Sequence, residues 1–291
     1  MSETKPSTLT RVFLTLFFAA SLSLAQGATV RINPTKIRLI VPPGVSKSGE
    51  IEIDNPSEDS VIVKSYLEDW AYTALHDGTK SFFPANTLSL SCSNWITTSL
   101  GEFVVLPFGK QIVHYTIKVP EGSQGGHYSA LFFESLLSKP EFRETAQLGV
   151  VVRIGALFYI EAEGATRREA AISDFSLKKE SDTLPLEVGA ELTNTGNVDI
   201  TSAGTFHIMD KQGMIYARGE LDKLYLFPQE KGRLSGKWEK RLAKGRYSLV
   251  LTLDIGKALE EAQLGRGPVI IKEAQIEIGD KGEVLRTGEL K

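Results

Sequence analysis

From Leu148 to Ala162 every second residue is apolar: Leu148, Val150, Val152, Ile154, Ala156, Phe158, Ile160 and Ala162. A period of two puts all of them on one face of an extended chain and on no single face of a helix. The alternate positions include Gly149, Val151, Arg153, Gly155, Leu157 and Tyr159, which are less polar than a solvated face requires. Two readings fit such a strand. It is a central strand covered on both faces, or it offers one face and an edge to a partner.

The same period recurs along the chain. Residues 48–54, 61–66, 113–119, 128–136 and 148–162 read as strands, separated by clusters of Gly, Pro, Asn and Asp. Residues 163–170 are polar and poor in strand formers, so they read as a linker. A second series follows at 171–177, 186–193, 205–209, 214–221, 232–238, 247–254 and 269–278. Seven short strands in such a span suit an immunoglobulin-like sandwich. Helix signals are confined to 258–263, and the polar tail 280–291 is expected to fray. The fold class expected is all-β, with two tandem immunoglobulin-like sandwiches over 26–162 and 171–279.

The two halves share landmarks. Each has an Asn-led turn after an early strand, Asn55-Pro56-Ser57 and Asn194-Thr195-Gly196-Asn197. Each has a Pro before a later strand, Pro107 and Pro228, and each opens a long apolar strand with Gly-x-Tyr, at Tyr128 and Tyr247. Those tyrosines are expected to form tyrosine corners, bonding back to nearby backbone. The first half is the longer, with the excess expected between Ala71 and Trp95.

Ahead of the strands, Lys5 and Arg11 precede an apolar run from Val12 to Leu24 that ends at Ser23-Leu24-Ala25. A basic start, a short apolar core and small residues describe a secretory signal peptide over 1–25. The chain is then expected to work outside the cytoplasm, in the periplasm or at the cell surface, without stable membrane insertion after cleavage. An uncleaved anchor is the other reading of that run.

The 291 residues carry 33 basic and 36 acidic side chains, a formal net charge of −3, which offers no footprint for nucleic acid. Cys92 is the only cysteine, so no disulfide closes within the chain. Phase with Leu88 and Leu90 reads it as a small buried hydrophobe. His76, His114, His127 and His207 are scattered, and no pair has the spacing of a local metal clip. Motifs for phosphate, dinucleotide or serine nucleophile chemistry are absent. No catalytic residue, metal or cofactor is expected, and the chain reads as a binding protein rather than an enzyme.

Val30 to Ile37 as a first strand, the Asn55-Pro56 turn, Tyr66-Leu67-Glu68-Asp69-Trp70, Ile117-Lys118-Val119-Pro120, Tyr128 to Leu137 and Leu157-Phe158-Tyr159 occur in a telling order. In that order the first half resembles the periplasmic chaperones of pilus assembly, the PapD-like superfamily. The second half looks more like a generic bacterial immunoglobulin-like module. The resemblance implies a protein client, a pilin-like or other surface subunit, with an outer-membrane usher as a further partner. It also implies that the strand ending at Tyr159 completes the client by β-strand addition. In that family a Lys of the last strand and an Arg of the first bind the client's terminal carboxylate. Here the Lys position falls at or next to Ala156, Arg153 is the nearest base, and Lys36 or Arg38 stands where the Arg is expected. The implied partner-binding residues are Lys36, Arg38, Val151, Arg153, Leu157 and Tyr159. The other function carried forward is a structural adhesion or scaffold module without chaperone activity.

Export is expected to cleave the chain after Ala25. N-terminal sequencing of the exported protein checks this, and a product that keeps Val12 to Leu24 contradicts it.

Overall fold

The computed structural model describes residues 30–136, 151–179 and 185–291. The expected signal segment, its cleavage site, the loop before the long strand and Leu148 to Val150 lie outside these residues. The first domain holds β1 (Arg31–Asn33), β2 (Lys36–Val41), β3 (Ser46–Asp54), β4 (Val61–Tyr72), β5 (Lys80–Pro84), β6 (Ile96–Thr98), β7 (Glu102–Val105), β8 (Lys110–Lys118), β9 (Gly126–Leu136) and β10 (Val151–Ala162). One sheet runs β1-β3-β8-β6, and the other runs β2-β10-β9-β4-β5 with β7 also on β4. The second domain holds β11 (Ala170–Lys178), β12 (Leu186–Asn194), β13 (Ile200–Met209), β14 (Ile215–Leu226), β15 (Lys231–Trp238), β16 (Gly245–Asp254), α1 (Lys257–Glu261), β17 (Val269–Ile278) and β18 (Val284–Thr287). Its sheets run β11-β12-β15 and β14-β13-β16-β17-β18.

Each domain encloses its own core. Ile51, Ile53, Val113, Ile117, Phe133, Phe158 and Ile160 fill the first, and Leu192, Phe206, Ile208, Leu249, Leu251 and Leu253 fill the second. These residues fall at alternate positions, as the period predicts. The even residues Ala156, Phe158, Ile160 and Ala162 of β10 are buried. The first strand does not run straight. It splits at Asn33-Pro34, where β1 pairs with β3 in one sheet and β2 passes to β10 in the other. Pro34 offers no N–H to either ladder.

The duplication is visible in hydrogen bonds. Asn55 Nδ2 donates to the carbonyls of Asp59, Val105 and Leu106, and its Oδ1 accepts from Ser57 N. Asn194 Nδ2 donates to the carbonyls of Val198 and Leu226, and its Oδ1 accepts from Gly196 N. Phe108 and Gln229, each after the turn proline, both take a left-handed φ, 53° and 69°. The strand order β10-β9-β4 corresponds to β17-β16-β13, and the long β14 takes the place beside β13 that β5 and β7 share beside β4.

Three expectations are corrected. Tyr247 makes the tyrosine corner, its hydroxyl donating to Ala243 O at 2.9 Å, whereas the Tyr128 hydroxyl leaves its own domain for Asp199. Leu88 to Cys92, whose phase suggests a strand, form turns and a single bridge from Ser91 to Tyr128, although Cys92 is buried in the first core, where burial pushes its thiol up to about 12. The tail does not fray: β18 pairs with β17, and Lys291 and Glu273 exchange backbone hydrogen bonds.

Asn55→Ala takes a donor from the buried Val105 carbonyl, and Asn194→Ala takes one from the buried carbonyls of Val198 and Leu226. Each variant is expected to lose about 1–3 kcal/mol, by the cost of an unsatisfied buried group. Urea unfolding measures both, and a neutral effect at either position contradicts the shared role.

Candidate functional site

The parallel pair of β2 and β10 joins Leu157–Ala162 to Lys36–Val41 and stops there. On its other side β10 pairs with β9 along its whole length, from Val151 opposite Leu136 to Glu161 opposite Gly126. Leu157 N donates to Thr35 O, so the odd residues of β10 point their backbone groups toward β2. Ahead of Leu157, Val151, Arg153 and Gly155 point theirs the same way. Among the described residues no strand meets them, because the chain leaves for the other sheet at Asn33-Pro34. The half-strand from Val151 to Ala156 is thus an open edge. Gly155 keeps its outer surface low, since a Cβ there would stand 2.9 Å from the Phe132 ring.

The outer face beside this edge changes character along its length. Val151 is exposed, at 53%. Arg153 follows, pairing with Glu68 at 2.9 Å and lying 4.3 Å above the Phe132 ring. Leu157 packs partly against an aromatic cluster that includes Trp70, Tyr72, Tyr128, Phe132 and Tyr159. Phe227 of the second domain completes that cluster, stacked on Tyr128 with centroids 4.4 Å apart. Edge-to-face contacts tie Trp70 to Tyr72, Tyr128 and Tyr159, a geometry that suits ring quadrupoles.

Beneath the rings lies a buried ionic network. Arg38 Nη1 donates to Glu161 Oε1 at 2.5 Å and to Asp199 Oδ1 at 2.9 Å, and Nη2 donates to Asp199 Oδ2 at 2.7 Å. Arg168 Nη2 donates to the same Glu161 oxygen at 2.8 Å. Asp199 N donates to the Tyr128 hydroxyl at 2.7 Å, and that hydroxyl donates to Asp199 Oδ1 at 3.3 Å. Burial alone would lower the Arg38 pKa, but the Asp199 carboxylate and then Glu161 raise it. Burial pushes the Asp199 carboxyl up, and Arg38 overrides this and holds it below its ordinary value. Arg38 and Asp199 stand in different domains, so their bidentate pair fixes one domain on the other.

Two lysines border the aromatic cluster. Lys36 stands opposite Leu157, its side chain 40% exposed, with Nζ 5.1 Å from the Tyr159 ring centre and 3.9 Å from Glu261. Lys80 Nζ lies 5.5 Å from the Tyr72 ring centre and donates to Gly78 O. Burial lowers both pKa values. The neighbouring Arg38 adds to the effect on Lys36, and Lys36 itself adds to that on Lys80. Lys223 adds positive charge next to Lys36 and lies 3.8 Å from Glu261. Burial disfavours the Lys36 and Lys80 ammonium ions, so an anion at the end of the open edge would stabilise them, in competition with the Glu261 carboxylate already beside Lys36 and Lys223.

These placements sort the six residues singled out from sequence. Val151 and Lys36 face solvent at the open edge and its end. Arg153 and Leu157 line the outer face, with Arg153 already paired to Glu68. Arg38 and Tyr159 are both buried, and that corrects their expected role: Arg38 has Glu161 and Asp199 as partners, and Tyr159 is sealed under Trp70. Lys80, Glu161, Asp199 and Phe227 escaped the sequence reading. Only Asp199 had a local signal, its place just after the Asn194 turn. Among the described residues no group of three His, Cys, Asp or Glu side chains is placed to hold a metal.

No protein-family model matches the sequence, and no curated protein sequence does. Solved structures similar in fold include fimbrial chaperones. The class 5 fimbriae chaperone CfaA is 12% identical, covering 84% of this chain and 98% of its own, with a TM-score of 0.49. A chain of the CsuC–CsuE chaperone–tip adhesion subunit pre-assembly complex of Acinetobacter baumannii is 12% identical over the same shares, with a TM-score of 0.42. A chain of the Salmonella enterica SafA pilin–SafB chaperone complex is 10% identical, covering 84% of this chain and 95% of its own, with a TM-score of 0.42.

Asp199→Ala leaves Arg38 buried beside a single remaining carboxylate. The variant is expected to lose about 3–5 kcal/mol, as for breaking a buried pair from one side. The sign with pH follows from the depressed Asp199 value: its contribution is complete at neutral pH and is lost as pH falls below the ordinary value of 3.8 toward the lower folded one. Wild-type unfolding at pH 7 and pH 3 checks this, and the variant is expected to show the smaller difference.

Proposed function

We propose that this protein is an extracytoplasmic, chaperone-like assembly factor that captures an extended segment of a client protein by β-strand addition to β10. The observation that carries the reading is the edge at Val151, Arg153 and Gly155, which no strand covers among the described residues. It presents alternating backbone donors and acceptors beside an apolar strand. Natural edges that serve no partner are usually blocked by charge, Pro or a covering element. Here Arg153 is drawn onto Phe132 and Glu68, away from the backbone edge.

The lysines set a direction. β2 runs parallel to β10 and begins its pairing at Lys36. A client strand parallel to β10 along Val151 to Ala156 would end its run at Lys36. Its free carboxylate would meet the Lys36 and Lys80 ammonium groups. The antiparallel direction would bring an α-ammonium to the same place, and like charge disfavours that. Lys36 and Lys80 thereby stand for the anchoring pair, Arg38 being committed to the domain interface. Clients of this kind are surface subunits of pilin type, met in the periplasm. The aromatic residues lie mostly buried between the domains, which favours a polypeptide ligand over a sugar stacked on an open aromatic face.

A synthetic peptide alternating valine and threonine, about seven residues long to match one strand, tests the reading by isothermal titration. The free-acid peptide is expected to bind more tightly than its amide. Lys36→Gln removes a charge-assisted hydrogen bond and is expected to cost about 1.5–3 kcal/mol with the free acid and little with the amide. Val151→Asp, at an exposed position, is expected to weaken both peptides without unfolding the domain. Equal binding of acid and amide, or binding untouched by both substitutions, contradicts the proposal.

A further inference from the structure

In the second domain the Asn194 turn is the element that docks onto the first domain. Thr201 pairs with Tyr225, Ile200 pairs with the buried Leu226, and Phe227 follows to enter the aromatic cluster. The Asn55 turn repeats this register. Ile62 pairs with Val104, Val61 pairs with the buried Val105, and Leu106 follows. Ile62, Val104 and Leu106 therefore hold the positions by which the other domain makes its contact. All three are apolar, and all three are exposed, from 51% for Val104 to 66% for Leu106. Phe108, exposed at 68%, stands where the second domain has the polar Gln229. Among the described residues, nothing docks on this turn at its pole of the first domain.

The opposite pole presents the other half of the same contact. The first domain receives its neighbour at the β4–β5 hairpin, at the start of β9 and at the end of β10, through Tyr72, Tyr128 and Tyr159. Tyr225 N also donates to His76 O in that hairpin. The corresponding β13–β14 hairpin carries Met214, Ile215 and Tyr216, all exposed, beside the start of β16. Tyr216 sets its edge against Tyr247, the counterpart of Tyr128, with centroids 5.4 Å apart. Charge is divided between the poles as well. Asp54, Glu58 and Glu102 flank the Asn55 turn, with Lys110 opposite Asp54 and Lys64 opposite Glu102, whereas Lys211, Arg246 and Arg286 line a groove at the far pole, where Arg246 meets Glu277 at 3.9 Å and Asp210 accepts from the Tyr216 hydroxyl.

We infer that this chain associates head to tail with a second copy of itself, Ile62, Val104 and Leu106 of one copy docking on Met214, Ile215 and Tyr216 of the next. The contact repeats between molecules the one that joins the two domains within each molecule. A second copy is favoured because both complementary surfaces lie on the same chain with opposite charge. The acidic rim at the Asn55 pole disfavours an anionic lipid surface. The interface is heterologous, so growth is not closed by symmetry at the dimer. It is independent of the client-binding reading, which uses the β10 edge.

Sedimentation velocity of the purified protein over a concentration series reaching about 1 mM, where weak contacts become populated, reads the association. The average mass is expected to rise past the dimer with concentration and to fall with added salt. Leu106→Asp and Tyr216→Asp are each expected to weaken association at least about tenfold, as for loss of an interface anchor. Circular dichroism checks that both remain folded. Mixed in equal amounts, the two variants are expected to recover a dimer and nothing larger, because each retains one intact pole. A wild-type monomer at every concentration overturns the inference. So does wild-type assembly that stops at a dimer, association unchanged in either variant, or a mixture that stays monomeric. Association only with a β-sandwich domain of another protein overturns it too.

Discussion

The bidentate pair between Arg38 and Asp199 is the interaction on which the rest of the architecture depends. Both groups are buried, and a buried ion is tolerated only when its partners are in place. Arg38 rises from β2, Glu161 from the end of β10, Asp199 from the Asn194 turn between β12 and β13, and Arg168 from the segment between domains. Satisfying all four groups together leaves little freedom in the angle between the sandwiches. The aromatic rings above them exclude water, and that strengthens the pair further.

That same network shapes the cleft. With Arg38 committed inside the chain, the charge left for an incoming anion is that of Lys36 and Lys80, each held over a tyrosine ring. The crossing of the first strand at Asn33-Pro34 uncovers half of β10, while Lys36 marks where cover resumes. One change of sheet thus creates the open edge and sets its length, and one parallel pairing sets the position of the charge at its end.

The duplicated turn shows how a repeated local structure can be put to two uses. Asn55 and Asn194 share the bonds to the carbonyl four residues on, to a carbonyl of the adjoining strand and from the N–H two residues on, and the strands beside them run in the same register. What differs is the neighbour. Phe227 finds Tyr128 and Tyr72, while Leu106 faces water. The turn is a property of each domain, and its use follows from what stands opposite it.

Local pattern determined much of this protein. Strict alternation identified the long strands and their buried faces, because side-chain period and backbone geometry are coupled residue by residue. Asn, Gly and Pro marked the paired turns, because few other residues take up those backbone angles. The short strands β5, β6, β7 and β18 carry too few residues to show a period, and they exist only because neighbouring strands supply their hydrogen bonds. The site divides in the same way. Alternation marked the strand that carries Val151, and Lys36 came only from the family resemblance, as an alternative to Arg38; no spacing ties Arg38 to Asp199, 161 positions away, or Lys80 to Tyr72 across a hairpin. Whether a basic residue reaches solvent or is consumed by a buried carboxylate is settled by groups distant in sequence. Tertiary structure alone therefore decided that Arg38 joins the domains, that Tyr159 is covered, and that half of β10 is left open.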